Sequence, residues 1–132
     1  MSQPSAEQLA PAHAIVRFIA TGDNAVLDGV FTHDVTIIEN FAPHIFRDAE
    51  QWRTAMQAHR APLTDLAYSF APALDFSVTD VRAFFTIPVT WTGKLRGTPF
   101  RELGGKSFVL QHESGIWRVA GYAWSVMEMR FD

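Results

Sequence analysis

The chain has 132 residues and a mass of 14.8 kDa, one domain by the usual allowance of about 100–200 residues each, which excludes a second independent core. Cysteine is absent, and hydrophobic residues make up 48% and charged residues 19%, so a disulfide framework, a thiolate nucleophile and intrinsic disorder are excluded. Eleven basic against 14 acidic residues give a formal charge of −3, which excludes a strongly basic nucleic-acid binder.

Eleven Phe, four Trp and two Tyr are more large rings than a core of this size requires. They point to a ring-lined cavity, an apolar subunit interface, or a core built on Phe. The first residues, MSQPSAEQLAPAHA, hold no basic residue ahead of Arg17 and no long apolar run, unlike a signal peptide. No window approaches the ~20 apolar residues of a membrane span. A cytoplasmic location with no membrane partner is expected.

The pattern predicts a first helix within residues 5–21, where Ala12, Ile15, Val16 and Ile19 form an apolar stripe. Ser5 with Gln8 reads as a capping box. Pro11 lacks a backbone donor and places the regular helix nearer residue 11. Gly22 ends it. Asp23 caps a short second helix holding Val26, Leu27, Val30 and Phe31. A strand is expected at 35–41, and Asp48 with Gln51 opens a third helix at 49–60 that carries Trp52, Ala55, Met56 and His59 on one stripe.

From Asp65 onward the pattern is β, with strands expected at 65–71, 74–78, 81–92, 99–112 and 116–127. Gly93 to Gly97 reads as one turn and Ser114-Gly115 as a tight hairpin. Strands this long imply a strongly curved sheet, bent at bulges near Gly104-Gly105 and Gly121. Pro88 points to an edge or a bulge. The whole is an α+β cone: about three helices close one side, and the concave face of an antiparallel sheet lines a pocket.

Strand alternation puts Val35, Ile37, Glu39 and Phe41 on one face, apolar except for Glu39. A carboxylate on such a face is costly unless paired. It suits a general base or acid working near neutral pH. Pairing to an arginine, or a place at the cone's mouth in water, is the alternative. The histidines at 13, 33, 44, 59 and 112 show no metal-ligand spacing, so no metal is expected. His44 follows Pro43 in the loop after the Glu39 strand, and His112 alternates with Leu110 and Phe108, so each is a candidate partner for Glu39. Lys94, Arg96 and Arg101 read as a solvated hairpin tip.

The stretch Phe31-Thr-His-Asp-Val-Thr-Ile-Ile-Glu-Asn-Phe-Ala-Pro-His44 and the ending Gly115-Ile-Trp-Arg-Val-Ala-Gly-Tyr-Ala-Trp124 resemble the nuclear transport factor 2-like superfamily, and more narrowly its SnoaL-like and ketosteroid-isomerase-like proteins. The resemblance runs over residues 6–127. It implies a cone with a deep pocket and a homodimer through the sheet. In ketosteroid isomerases a strand reading Asp-x-Thr-x-x-Asp carries the proton-shuttling base last. Asp34-Val-Thr-Ile-Ile-Glu39 keeps that spacing with Glu, so the resemblance implies the base role for Glu39. The family's catalytic Tyr falls at Ile15, which has no donor, and its second acid falls near Lys106, a cation suited to stabilising an enolate.

The resulting expectation is a cofactor-independent isomerase, dehydratase or cyclase-like enzyme acting on an apolar or aromatic small molecule. Glu39 is the base, and His44, His112 or Lys106 assist. Trp52, Trp91, Phe108 and Trp124 hold the ligand, with Ile15, Phe18, Phe41 and Met56 beside them. Two alternatives stay open: a non-catalytic binding or accessory module with the same pocket, and a dimerisation domain with a dry interior.

Overall fold

The computed structural model describes residues 2–132. Helix α1 spans Ala6–Thr21. The Ser5 Oγ accepts from the Gln8 N–H, and the Gln8 side chain accepts from the Ser5 N–H, so two orphan donors of the first turn are satisfied. The helix begins there and not at Pro11, which lies inside it. Proline removes the bond to the carbonyl of Glu7, a residue exposed to water that can replace it. Ala12, Ile15, Val16 and Ile19 are buried as the stripe requires.

The expected second helix is a single 3₁₀ turn, Asn24–Leu27, capped by Asp23. Among the described residues the α-helices therefore number two. Val30 and Phe31 lie outside the turn: the chain leaves it at Asp28, and strand β1, Phe31–Ile38, starts after Val30. A two-residue strand β2, Ile45–Phe46, folds back on β1. Helix α2 is Ala49–Arg60; the Asp48 carboxylate caps it at the Glu50 N–H, 2.8 Å away, and not at Gln51.

The remaining strands are β3 (Leu63–Phe70), β4 (Leu74–Val78), β5 (Arg82–Leu95), β6 (Thr98–Glu113) and β7 (Ile116–Phe131). They form one seven-stranded sheet in the order β2-β1-β7-β6-β5-β3, with β4 also on β5. The β1–β7 pair is parallel and the others antiparallel. Pro88 stands between the partners of β3, which end at Val89, and those of β4, which begin at Thr86. Its missing donor falls where β5 changes neighbour.

Gly93 belongs to β5, and the turn is Arg96-Gly97 alone. That pair and Ser114-Gly115 have positive φ at both residues, the geometry of a two-residue hairpin that matches strand twist. Register shifts curve the sheet, two of them between β6 and β7: Met127 has no partner opposite Leu103-Gly104, and Ala120 has none opposite Val109-Leu110. At Gly104 the backbone meets the Trp124 ring so closely that a Cβ would overlap it.

The sheet wraps the helices. Val35, Ile37, Phe85, Val89, Phe108 and Leu110 face inward against Ile15, Val16 and Phe18, all with at most 1% exposure. Arg60 ties the helices at the cone's mouth by donating to the carbonyls of Ile19 and Ala20 at the end of α1, at 2.8 and 3.0 Å. Among the described residues, no helix is long and apolar enough to cross a membrane.

Candidate active site

Glu39 lies one residue past the end of β1, yet it keeps the strand's parity. Its N–H donates to the carbonyl of His44 at 2.9 Å, and the His44 N–H donates to Phe41. This closed loop aims the side chain inward, where it is 3% exposed. Two donors converge on one carboxylate oxygen. Trp52 Nε1, from α2, donates to Oε2 at 2.8 Å, and the Tyr122 hydroxyl, from β7, donates to the same atom at 2.7 Å. No arginine pairs with Glu39 among the described residues.

Lys106 extends the network. Its Nζ donates to the Tyr122 Oη at 2.8 Å and lies 4.7 and 4.4 Å from the ring centroids of Tyr122 and Trp124. The side chain is 2% exposed. Burial lowers its pKa to about 8, against the pull of Glu39 and Glu102, which favour the charge. Burial also raises the Tyr122 phenol well above its ordinary range, and the charge and hydrogen bond of Glu39 add to the effect. Tyr122 is thus held protonated between an ammonium and a carboxylate.

Rings fix this geometry. Trp52 meets Tyr122 edge-on at 5.9 Å, and Phe108 stacks on Tyr122 at 5.5 Å. Phe18 and Phe31 pack on Trp52 at 5.4 and 5.7 Å. Such contacts lock rotamers and exclude water, which strengthens each polar bond inside.

Beside the network is a cavity of about 340 Å³, within the size range of small-molecule sites. Glu39, Asn40, His59, Glu102 and Lys106 supply its polar lining, and Phe41, Met56, Trp91, Phe100 and Trp124 are among its apolar walls. The second oxygen of Glu39, Oε1, accepts no hydrogen bond among the described residues and is not sealed from the cavity. Burial raises the Glu102 carboxyl above its usual range, Lys106 opposes this, and Glu39 adds to it. His59 stacks on Phe41 at 4.2 Å at the rim, and loss of hydration lowers its pKa, partly offset by Glu39.

Of the residues singled out from sequence, Glu39, Lys106, Phe41, Met56, Trp91 and Trp124 line this cavity. Trp52 and Phe108 stand behind it as supports of Glu39 and Tyr122, and Ile15 and Phe18 lie deeper in the core. His44 is exposed in its loop. His112 is exposed near the β6–β7 turn, stacked on Trp117 at 4.7 Å. Neither lines the cavity.

Sequence reading passed over Tyr122 and Glu102 as chemical groups and weighed His59 only as a metal ligand. Signals existed for all three. Tyr122 shares the parity of Trp124, Glu102 that of Lys106, and His59 continues the Trp52–Met56 stripe. No group of His, Cys, Asp and Glu that could hold a metal occurs among the described residues.

No protein-family model matches the chain, and no curated protein matches it by sequence. Solved structures do. The hexachlorocyclohexane dehydrochlorinase LinA-type3 from Novosphingobium barchaimii LL02 superposes with a TM-score of 0.85 at 8% identity, over 96% of this chain and 88% of that one. A ketosteroid isomerase-like protein from Erwinia carotovora atroseptica gives 0.74 at 19% identity, over 93% and 95%. An NTF-2 like protein from Silicibacter pomeroyi DSS-3 gives 0.61 at 14%, over 92% and 94%. The chain has the nuclear transport factor 2-like fold, the α+β cone of ketosteroid isomerase-like proteins.

Proposed function

We propose that this protein is a cofactor-independent enzyme that abstracts a proton from carbon in an apolar or aromatic small molecule, with Glu39 as the base. The observation that carries this reading is the division of labour within one carboxylate. Oε2 is pinned by Trp52 and Tyr122, while Oε1 accepts no hydrogen bond among the described residues, in a side chain that lines the cavity. Two fixed donors hold the group in place at no cost in reorganisation when it reacts. Lys106 supplies positive charge where an enolate would develop. Return of the proton to a different carbon gives isomerisation, and loss of a leaving group gives elimination. Fold neighbours named as a ketosteroid isomerase-like protein and a dehydrochlorinase support the shared first step, although fold by itself does not assign function.

The test uses 2-tetralone, a flat apolar ketone with acidic α-hydrogens. Wild-type protein is expected to catalyse α-deuterium exchange in D₂O, followed by NMR. Glu39→Gln keeps an oxygen for Trp52 and Tyr122 and should lower the rate at least ~100-fold with the fold intact. Equal exchange by the two proteins would remove Glu39 from the base role. One observation favours a binding module instead: Glu39 already consumes both neutral donors, the Trp52 indole and the Tyr122 hydroxyl. That reading predicts a ligand-induced rise in Tm with no exchange at all.

A second copy of the chain is the partner we propose for the convex face of the sheet. Phe84, Thr86 and Pro88 of β5 lie beside Val109, Ser107 and Gly105 of β6 there. Thr86 and Ser107 share a 2.8 Å hydrogen bond, and no charged residue interrupts these rows.

A further inference from the structure

We propose that Lys106 is an amine nucleophile, which condenses with the carbonyl of an apolar aldehyde or ketone seated in the cavity to form an imine. The proposal deepens the functional reading, and it rests on the cavity being the reaction site. Three features of the geometry carry it. Lys106 lines the cavity although its side chain is almost wholly withdrawn from water. Its Nζ is held by one hydrogen bond, to the Tyr122 Oη, and by two ring faces, with no carboxylate within ion-pair distance among the described residues. The Tyr122 hydroxyl in turn reaches Glu39, so a path for protons runs from the nitrogen to a carboxylate open to the same cavity.

The neutral amine is accessible at working pH. With a pKa of about 8, about one Lys106 in ten is uncharged at pH 7, against ~1 in 3,000 for an ordinary lysine. Desolvation in an apolar pocket is a recognised route to an imine-forming lysine.

The step balances without a co-reactant. The Nζ lone pair forms a bond to the carbonyl carbon, and the C=O π pair moves to oxygen. The surplus proton on nitrogen passes to that oxygen through Tyr122 and Glu39. The nitrogen lone pair then closes the C=N bond as the C–O bond breaks, and the departing hydroxyl takes the second proton of the nitrogen through the same two groups and leaves as water. Protonated, the imine is a stronger electron sink than the ketone, and it acidifies the hydrogen that Glu39 would remove.

The sequence supplies an internal reference, since Lys106 and Lys94 are its only lysines. Lys94 is about half exposed and pairs with Asp65 at 3.6 Å. Wild-type protein is incubated at pH 7 with 2-naphthaldehyde and borohydride, and the reduced adduct is located by peptide mass mapping. Lys106 should be labelled at least about tenfold faster than Lys94, and Tyr122→Phe should slow Lys106 labelling while leaving Lys94 unchanged. Labelling of Lys94 at an equal or greater rate, or no adduct on Lys106, would overturn the proposal. The aldehyde has no α-hydrogen, so trapping reads imine formation alone, and 2-tetralone exchange reads the base. If trapping fails in the wild type while its 2-tetralone exchange persists and Glu39→Gln suppresses that exchange, the imine is lost and the role of Glu39 survives.

Discussion

Lys106 shows how one residue is tuned by its surroundings. An exposed lysine keeps its proton to high pH, but this one has been taken from water into a cage of rings, and only partial compensation comes from Glu39 and Glu102. Its folded-state pKa, about 8, lies below the ordinary 10.5. The unfolded chain therefore binds the proton more tightly, and the penalty on folding is full below pH 8 and fades as pH rises toward 10.5. The shift corresponds to on the order of 3 kcal/mol. Tyr122 works in the opposite sense at higher pH: its raised pKa makes the unfolded chain lose the proton first, so stability falls above about pH 10. Urea titrations should show Lys106→Met at least as stable as wild type at pH 7, with the difference shrinking between pH 8 and 10. A difference that stays flat across that range would mean that Lys106 is not desolvated in the folded state.

Single elements place these residues, and small local devices set the elements. The Ser5–Gln8 capping box was readable as a sequence pattern and overrides Pro11, because two satisfied donors at the start outweigh one lost acceptor facing water. Ser5→Ala should cost about 1 kcal/mol by thermal unfolding. Strand β7 was harder to read. Its unpaired Ala120 and Met127 each reverse the inward-outward alternation, so Val119, Tyr122 and Trp124 face inward and Met129 reaches the cavity. A period-2 reading without those bulges assigns some of these residues to the wrong face. Gly104 belongs to the same device. A methyl group there would overlap the Trp124 ring and the Ser125 carbonyl, and Gly104→Ala should destabilise by about 1–3 kcal/mol. Denaturation with an unchanged midpoint would show that β7 has room to shift.

The whole molecule is a cone with one filled end and one open end. Ala12, Val16, Phe85, Leu110 and Val119 belong to the buried core, while β3, the ends of β5 and β7, and the last turn of α2 leave a hollow at the mouth. The convex side of the sheet presents the uncharged rows of β5 and β6. Sedimentation at micromolar concentration should report a dimer, and Val109→Arg, which changes a side chain already 37% exposed, should give a folded monomer. A monomeric wild type would leave that face to solvent.

Local periodicity determined a good deal from the sequence alone. Apolar spacing located both helices, alternation turned Glu39 and Trp91 toward one interior, and paired turn residues set the last hairpin. These are properties of neighbouring residues, since φ, ψ and side-chain parity are decided within a few positions. Tertiary structure decided which groups meet. Tyr122 is 83 residues from Glu39 and Trp52 is 13, and their convergence on one oxygen depends on strand register, on two bulges and on how α2 docks against β1. His44 is close to Glu39 in the chain and His112 shares the parity of Phe108 and Leu110, but a turn and a strand end carry them outside the cavity. Parity is local and therefore legible, whereas register is a sum of long-range pairings that no short stretch of sequence contains.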